Sequence, residues 1–177
     1  MNSGKFKSGD LFPTLDVRSS AGEPVAIARP ADGRSWLLLL VYRGRHCPLC
    51  TQYLETLTTF TARLAAAGIE VIALSADSSN QLTAHLENLN LDFPVHCGLT
   101  ESQMAMLGLY RSEPRSAEET DHVFPEPGLF VVNANGQTQI VDIANNPFTR
   151  PDLEMLVSGL EWLREGGDRY QIGRAHV

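Results

Sequence analysis

Cys47 and Cys50 close the stretch VYRGRHCPLC, residues 41–50. Cysteines at this spacing can form a redox pair, half of a metal site, or two small buried hydrophobes. The thiolate is the nucleophile, and a free thiol is mostly protonated at neutral pH. Local sequence favours the anion at Cys47. Pro48 follows it, and proline is preferred at the first helical position, so Cys47 falls at or near an N-cap. Unpaired N–H groups and the partial positive charge of a helix start stabilise an anion there. Arg43, Arg45 and His46 lie just upstream and can add to this effect. Cys50 stands one turn later on the same face, within reach of a modified Cys47. Cys47 therefore reads as the attacking thiol and Cys50 as the resolving one.

The elements that must position this pair follow from periodicity. Residues 36–43 form a continuous apolar run, as in a strand buried on both faces. Tyr53, Leu54, Leu57, Phe60 and Leu64 then recur at helical spacing up to Gly68. IEVIALSA, 69–76, reads as a second buried strand. Ser78 or Ser79 caps a helix carrying Leu82, Leu86 and Leu89. Residues 93–97 read as a short strand and 101–109 as a short helix. Within that helix, Met104 and Met106 are two apart and cannot both face the core.

Residues 110–127 are polar and proline-rich and read as an insertion loop. GLFVVNANGQTQIVDI, 128–143, is a hairpin turning at Asn135-Gly136. Thr149 and Asp152 open a last helix with Leu153, Leu156, Val157, Leu160 and Leu163 on one face. The N-terminal residues 1–28 read as loop with a short β excursion around Gly22, and the tail after Glu165 as mobile. Strand–helix alternation implies parallel pairing, and the hairpin adds antiparallel strands. The expected fold is α/β, a mixed central sheet with helices on both faces. Sites in such sheets lie beyond the carboxyl ends of the strands, where Cys47 sits.

With 177 residues the chain is expected to be one domain, with its core over about 8–165. A net charge of −7 and no basic cluster argue against nucleic acid or an anionic membrane surface as partner. The start, MNSGKFKSGD, reads as carrying no secretory signal. The apolar run Trp36–Tyr42 is too short to span a bilayer. The expected location is the cytoplasm. Three cysteines, an odd number, do not suit a secreted disulfide scaffold. No P-loop, GxGxxG or Ser/His/Asp order is present, and no cofactor is called for.

The ordered set GDLFPTLDV, LLLLVYRGRHCPLC, VIALSAD, FPV and GLFVVNANG resembles the AhpC/TSA superfamily, the peroxiredoxins and their thioredoxin-fold relatives. The run Tyr42 to Cys50, Tyr-Arg-Gly-x-x-Cys-Pro-x-Cys, and PFTRPDLEMLVSGLEWL at 147–163 are similar to its peroxiredoxin-like branch. The resemblance implies a thioredoxin-like fold and thiol-dependent redox catalysis. It also implies a peroxide or disulfide substrate, a cellular dithiol reductant of the thioredoxin or glutathione type, and a homodimer.

Three positions depart from the peroxiredoxin pattern Pro-x-x-x-Thr/Ser-x-x-Cys and its peroxide-orienting arginine. Leu40 stands in the Pro place, Gly44 in the Thr place and Pro127 in the arginine place. Gly44 has no side-chain donor and Pro127 has neither charge nor N–H, whereas peroxide cleavage needs donors aimed at the developing charge. Arg43 or Arg45 are the candidate substitutes, although a loop arginine is not in itself an oriented one. Pro127 instead resembles the cis-proline of thioredoxins, which implies a cis Glu126–Pro127 bond and a substrate-docking role.

Other residues carry weaker signals. Cys97 is either a second resolving cysteine or, more simply, a buried small residue. His46 either polarises the thiolate or points to solvent. His85, His122 and His176 form no constellation and read as surface residues. Asp77 enters no readable acid/base pair. Residues 113–121 read as a solvated acidic loop, with a lid over the site as the lesser reading. The leading expectation is an oxidoreductase built on Cys47 and Cys50. A disulfide reductase or redox sensor without fast peroxidase activity is the alternative. From another class comes a redox-silent module holding zinc through Cys47, Cys50, His96 and Cys97.

Overall fold

The structure, a computed structural model, describes residues 6–28, 30 and 36–166. Its centre is β3 (Trp36–Val41), six residues all buried. Parallel to it runs β4 (Ile69–Leu74), register Trp36↔Ile69 to Val41↔Leu74. On its other side β8 (Gly128–Val132) pairs antiparallel, Val41 opposite Gly128. Completing the five-stranded sheet are β5 (Val95–His96) beyond β4 and β9 (Thr138–Ile143) beyond β8, in the order β5-β4-β3-β8-β9.

Side chains alternate across a strand, so a strand apolar at every position must be covered on both faces. Trp36, Leu38 and Leu40 of β3 pack in one cluster, with residues of α1 (Pro48–Thr58), α2 (Thr61–Ala66), α3 (Ser79–Leu86) and α5 (Leu153–Glu165). Leu37, Leu39 and Val41 enter the opposite cluster. That face is covered by the hairpin of β1 (Leu15–Arg18) and β2 (Pro24–Ile27) and by α4 (Glu101–Met106). The expected mixed sheet with helices on both faces is what forms. Met104 is buried and Met106 exposed, as their spacing requires.

Two stretches differ from the sequence reading. The helix expected from Pro48 to Gly68 breaks into α1 and α2. Its break falls in a threonine-rich run, where Thr59 Oγ1 donates to Thr56 O (2.7 Å) and Thr61 Oγ1 to Thr58 O (2.9 Å). Such hydroxyls compete with the helical ladder for its carbonyls, and β-branching weakens helix propensity further. Residues 110–127, expected as a loop, carry a small ladder in which β6 (Arg111–Ser112) pairs antiparallel with β7 (Phe124–Pro125). This closes the excursion at its base and brings Phe124 and Glu126 to the carboxyl end of β3. The tail expected to be mobile lies, after Gly166, outside the described residues.

The expected caps at Ser78 and Asp152 form, and Thr100, which the sequence reading does not name, adds another. Ser78 and Thr100 form capping boxes with Gln81 and Gln103, and Asp152 caps α5 through the Met155 N–H at 2.8 Å. Among the described residues no helix is long and apolar enough to cross a membrane.

The core makes one direct prediction. Leu54, fully buried on α1 behind the cysteines, should lose about 3 kcal/mol of stability as Leu54→Ala in urea unfolding. Met155→Ala, at a site 77% exposed on α5, should stay within about 0.5 kcal/mol of the parent.

Candidate active site

Cys47 is the N-cap of α1, with extended backbone (φ −104°, ψ 101°) and Pro48 in the first turn. Its Sγ accepts the Cys50 N–H at 3.3 Å, as a capping oxygen would. The loop leading to it, residues 42–46, is moulded on Asp77, which follows β4. The Asp77 carboxylate is 1% exposed. Its Oδ2 accepts the Arg45 N–H (2.9 Å) and the Ser75 hydroxyl (3.1 Å). Gly44 passes over it with φ +129°, and a Cβ there would lie 2.6 Å from Asp77 Oδ1. The glycine in the place of the family threonine thus reflects a backbone that L side chains rarely adopt, not merely the loss of a hydroxyl.

The two upstream arginines part company. Arg43 turns inward. Its guanidinium lies 4.6 Å over the Phe124 ring, and its Nε is 3.3 Å from Glu126 Oε2. Glu126 is buried and its other oxygen accepts the Ser112 hydroxyl at 2.6 Å. A loop arginine is therefore oriented here by two partners from the 110–127 excursion. Arg45 holds the loop through its backbone, while its side chain is exposed beside a cavity of about 240 Å³ shared with His46 and residues 117–121. Of the two, it is Arg43 that bears on the thiol.

Both cysteines are free and buried, Cys47 at 2% exposure. The Cys47 thiol is nevertheless lowered to about 6, first by a hydrogen bond from the Cys50 side chain and further by the Cys50 N–H and Arg43, against the opposing effect of burial. Cys50 moves the other way, pushed up by burial and then by its bond to Cys47. The pair thus shares one negative charge, placed on Cys47.

Sequence reasoning missed Arg150. Its Nη2 donates to Cys50 Sγ at 2.9 Å and its Nη1 to Leu49 O at 3.1 Å. No local signal joins residues 100 apart; the clue available was a lone arginine before Pro151, in the segment leading into α5.

Pro127 is buried beside Gly128, across from the end of β3, but the expected cis bond is absent. The Glu126–Pro127 peptide is trans, and no cis peptide occurs among the described residues. The chain runs extended there because both flanks are tied in. Glu126 N donates to Tyr110 O (2.8 Å), and Pro127 O accepts from Ala144 N (3.0 Å). The thioredoxin-type docking proline is corrected accordingly.

The histidines also differ from expectation. His85 is buried, its Nε2 2.9 Å from Thr51 Oγ1. His122 is half-buried, with Nε2 3.6 Å from Asp77 Oδ1 and Nδ1 2.8 Å from Asp121 Oδ1. Both were expected at the surface, since periodicity does not report what folds over a helix end or loop; His176 lies outside the described residues. His46 packs on Phe124, ring centroids 4.5 Å apart, and burial followed by Arg43 lowers its pKa. Cys97 is buried, its Sγ 3.8 Å from Ser79 Oγ, with burial raising its pKa. Among the described residues no three His, Cys, Asp or Glu side chains gather as a metal site.

Two predictions follow from this geometry. The ultraviolet thiolate absorbance of the reduced protein should rise with pH about a midpoint near 6, because the anion is the absorbing form. Cys50→Ala should move that midpoint up the most, Arg43→Gln by less, and Arg45→Gln hardly at all; an Arg45→Gln shift matching that of Arg43→Gln contradicts the assignment. Gly44→Ala should cost at least about 2 kcal/mol in thermal unfolding, from backbone strain and from the Cβ meeting the Asp77 carboxylate.

The AhpC/TSA family matches residues 8–141. No curated protein matches the chain. Among solved structures, a peroxiredoxin-like protein from Aquifex aeolicus superposes at TM-score 0.73 with 15% identity, covering 90% of this chain and 89% of that one. A cysteine-to-serine mutant of peroxiredoxin 6 of Arenicola marina gives TM-score 0.75 and 16% identity over 96% of this chain and 81% of its own. The reduced 2-Cys peroxiredoxin of Plasmodium vivax gives 0.71 and 13% over 95% and 91%. At these identities the likeness speaks to the fold, which is the thioredoxin-like fold of the peroxiredoxins. Matched over most of its length, the chain belongs to the AhpC/TSA family.

Proposed function

We propose that this protein is a thiol-dependent peroxidase of the peroxiredoxin-like branch, using Cys47 as attacking thiol and Cys50 as resolving thiol. The observation that carries the reading is the placement of Cys47, a residue only 2% exposed, at the start of α1, its Sγ accepting the Cys50 N–H at 3.3 Å beside an arginine oriented by Glu126. A protein disulfide needs an accessible sulfur for in-line attack, whereas a small hydroperoxide needs only a narrow opening. Burial thus favours peroxide over a protein substrate.

In this reading the Cys47 thiolate attacks the near oxygen of the peroxide. The O–O bond breaks, Cys47 becomes a sulfenic acid, and the leaving alkoxide or hydroxide takes a proton to give alcohol or water. Arg43, held by Glu126 and Phe124, is the cation aimed at the charge that develops there, and supplies what Gly44 and Pro127 lack. Cys50 then attacks the Cys47 sulfur, releasing water and leaving a Cys47–Cys50 disulfide. A dithiol of the thioredoxin or glutathione-linked type then returns both thiols, which fits a reducing compartment such as the cytoplasm. A protein reductant does so only after the start of α1 opens to expose the disulfide.

The test is a stopped-flow thiol count on reduced protein with one equivalent of hydrogen peroxide. The expected result is loss of two thiols far faster than a free thiol reacts, with mass spectrometry joining Cys47 to Cys50, and no such loss in Cys47→Ser. Loss at the rate of a free thiol overturns the peroxidase reading and leaves dithiol–disulfide exchange as the activity to assay.

A further inference from the structure

Arg150 is half-buried, and among the described residues no carboxylate pairs with it. A cation taken out of water without a counter-charge is unfavourable. Its best contact is instead a sulfur, Cys50 Sγ, at 2.9 Å. The guanidinium is not there by chance of a flexible side chain. It lies 5.0 Å over the Tyr53 ring, donates to Leu49 O, and is followed by Pro151, whose carbonyl accepts the Tyr53 hydroxyl at 2.8 Å. Tyr53 on α1 therefore clamps both the side chain and the backbone of this segment. The site is built around an anion on Cys50 that the reduced protein does not yet carry.

We propose that Arg150 is a catalytic residue of the resolving half-reaction: it stabilises Cys50 as the thiolate that attacks oxidised Cys47, and as the leaving thiolate when the disulfide is reduced. The inference rests on the assignment of Cys47 and Cys50 as attacking and resolving thiols. In the reduced protein the Cys50 proton is held toward the Cys47 anion. Once Cys47 is a sulfenic acid, that anion is gone and Cys50 is free to ionise against Arg150. Cys50 sulfur then bonds to Cys47 sulfur, the S–O bond breaks, and the departing hydroxide takes up the proton that Cys50 gave up, so water leaves. In the return step a dithiol reductant attacks Cys47 sulfur, the S–S bond breaks toward Cys50, and Arg150 receives the new thiolate. The second reductant thiol then frees Cys47 and the reductant leaves as its own disulfide.

The measurement is the rate of Cys47–Cys50 closure after one equivalent of hydrogen peroxide, followed across pH in full-length protein. Losing a cation at hydrogen-bond distance lowers the thiolate fraction, and the higher basicity returns part of that as nucleophilicity. Arg150→Ala should therefore close about tenfold more slowly, with its pH midpoint moved upward. Arg150→Lys, which keeps the charge and the fold, should recover part of both. Closure at the parent rate with an unmoved pH midpoint in Arg150→Ala overturns the proposal, as does Arg150→Lys behaving no better than Arg150→Ala. If the parent protein does not react with peroxide, it is the peroxidase reading that fails. The disulfide is then made with diamide and its reduction by dithiothreitol timed. Slower reduction in Arg150→Ala supports Arg150 in its leaving-group role, and equal rates overturn it.

Discussion

A carboxylate buried at the end of β4 sets the shape of the site. Asp77 is almost wholly out of water, where an unsatisfied charge would be strongly unfavourable. Its needs are met by the Arg45 N–H and the Ser75 hydroxyl. Meeting them fixes the path of the loop between β3 and α1, and that path passes so close to the carboxylate that only glycine fits at residue 44. The loop can then deliver Cys47 to the first position of α1. The parallel pairing of β3 with β4 makes this possible, because it brings both strands' carboxyl ends to the same edge. His122 reaches the other oxygen of Asp77, so the 110–127 excursion is tied to the same charge.

A second buried carboxylate does comparable work from the opposite neighbour. Glu126 precedes β8, the antiparallel partner of β3, and holds Arg43 beside Cys47. The site is thus assembled across three adjacent strands, each contributing what lies just past its end or start. Removing any one of these anchors leaves a buried charge without its partner, which generally destabilises more than the contact itself contributes.

The strands and both faces of the sheet were legible in the sequence, because continuous apolar runs admit few other readings. So was the place of Cys47, because Pro48 marks a helix start. The caps at Ser78 and Asp152 are local chemistry and were readable as such. What was not legible depends on direction or on distance. Arg43 and Arg45 are two residues apart in the same loop, and no periodicity says which turns inward; the decision is made by Glu126 and Phe124, over 80 positions away. Arg150 reaches Cys50 only because the segment leading into α5 returns over α1. His85 is covered by its neighbours, and the path through Pro127 is set by hydrogen bonds to Tyr110 and Ala144. Each of these is a tertiary fact with no local signature.

The asymmetry between the two thiols follows from where one helical turn places them. Both are buried, and burial alone would keep both protonated. Cys47, at the N-cap, collects an N–H, a thiol and a guanidinium, and these together outweigh burial. Cys50, inside the turn, gives its proton toward Cys47 and has Arg150 as its main source of positive charge. An anion on Cys47 therefore disfavours a second one on Cys50, and the constraint lifts only when Cys47 ceases to be an anion. In the proposed cycle, oxidation of the first thiol is the event that releases the second. The same low-dielectric surroundings that oppose ionisation strengthen each of these interactions, so in that proposed cycle the order of steps would be set by packing as much as by the identity of the cysteines.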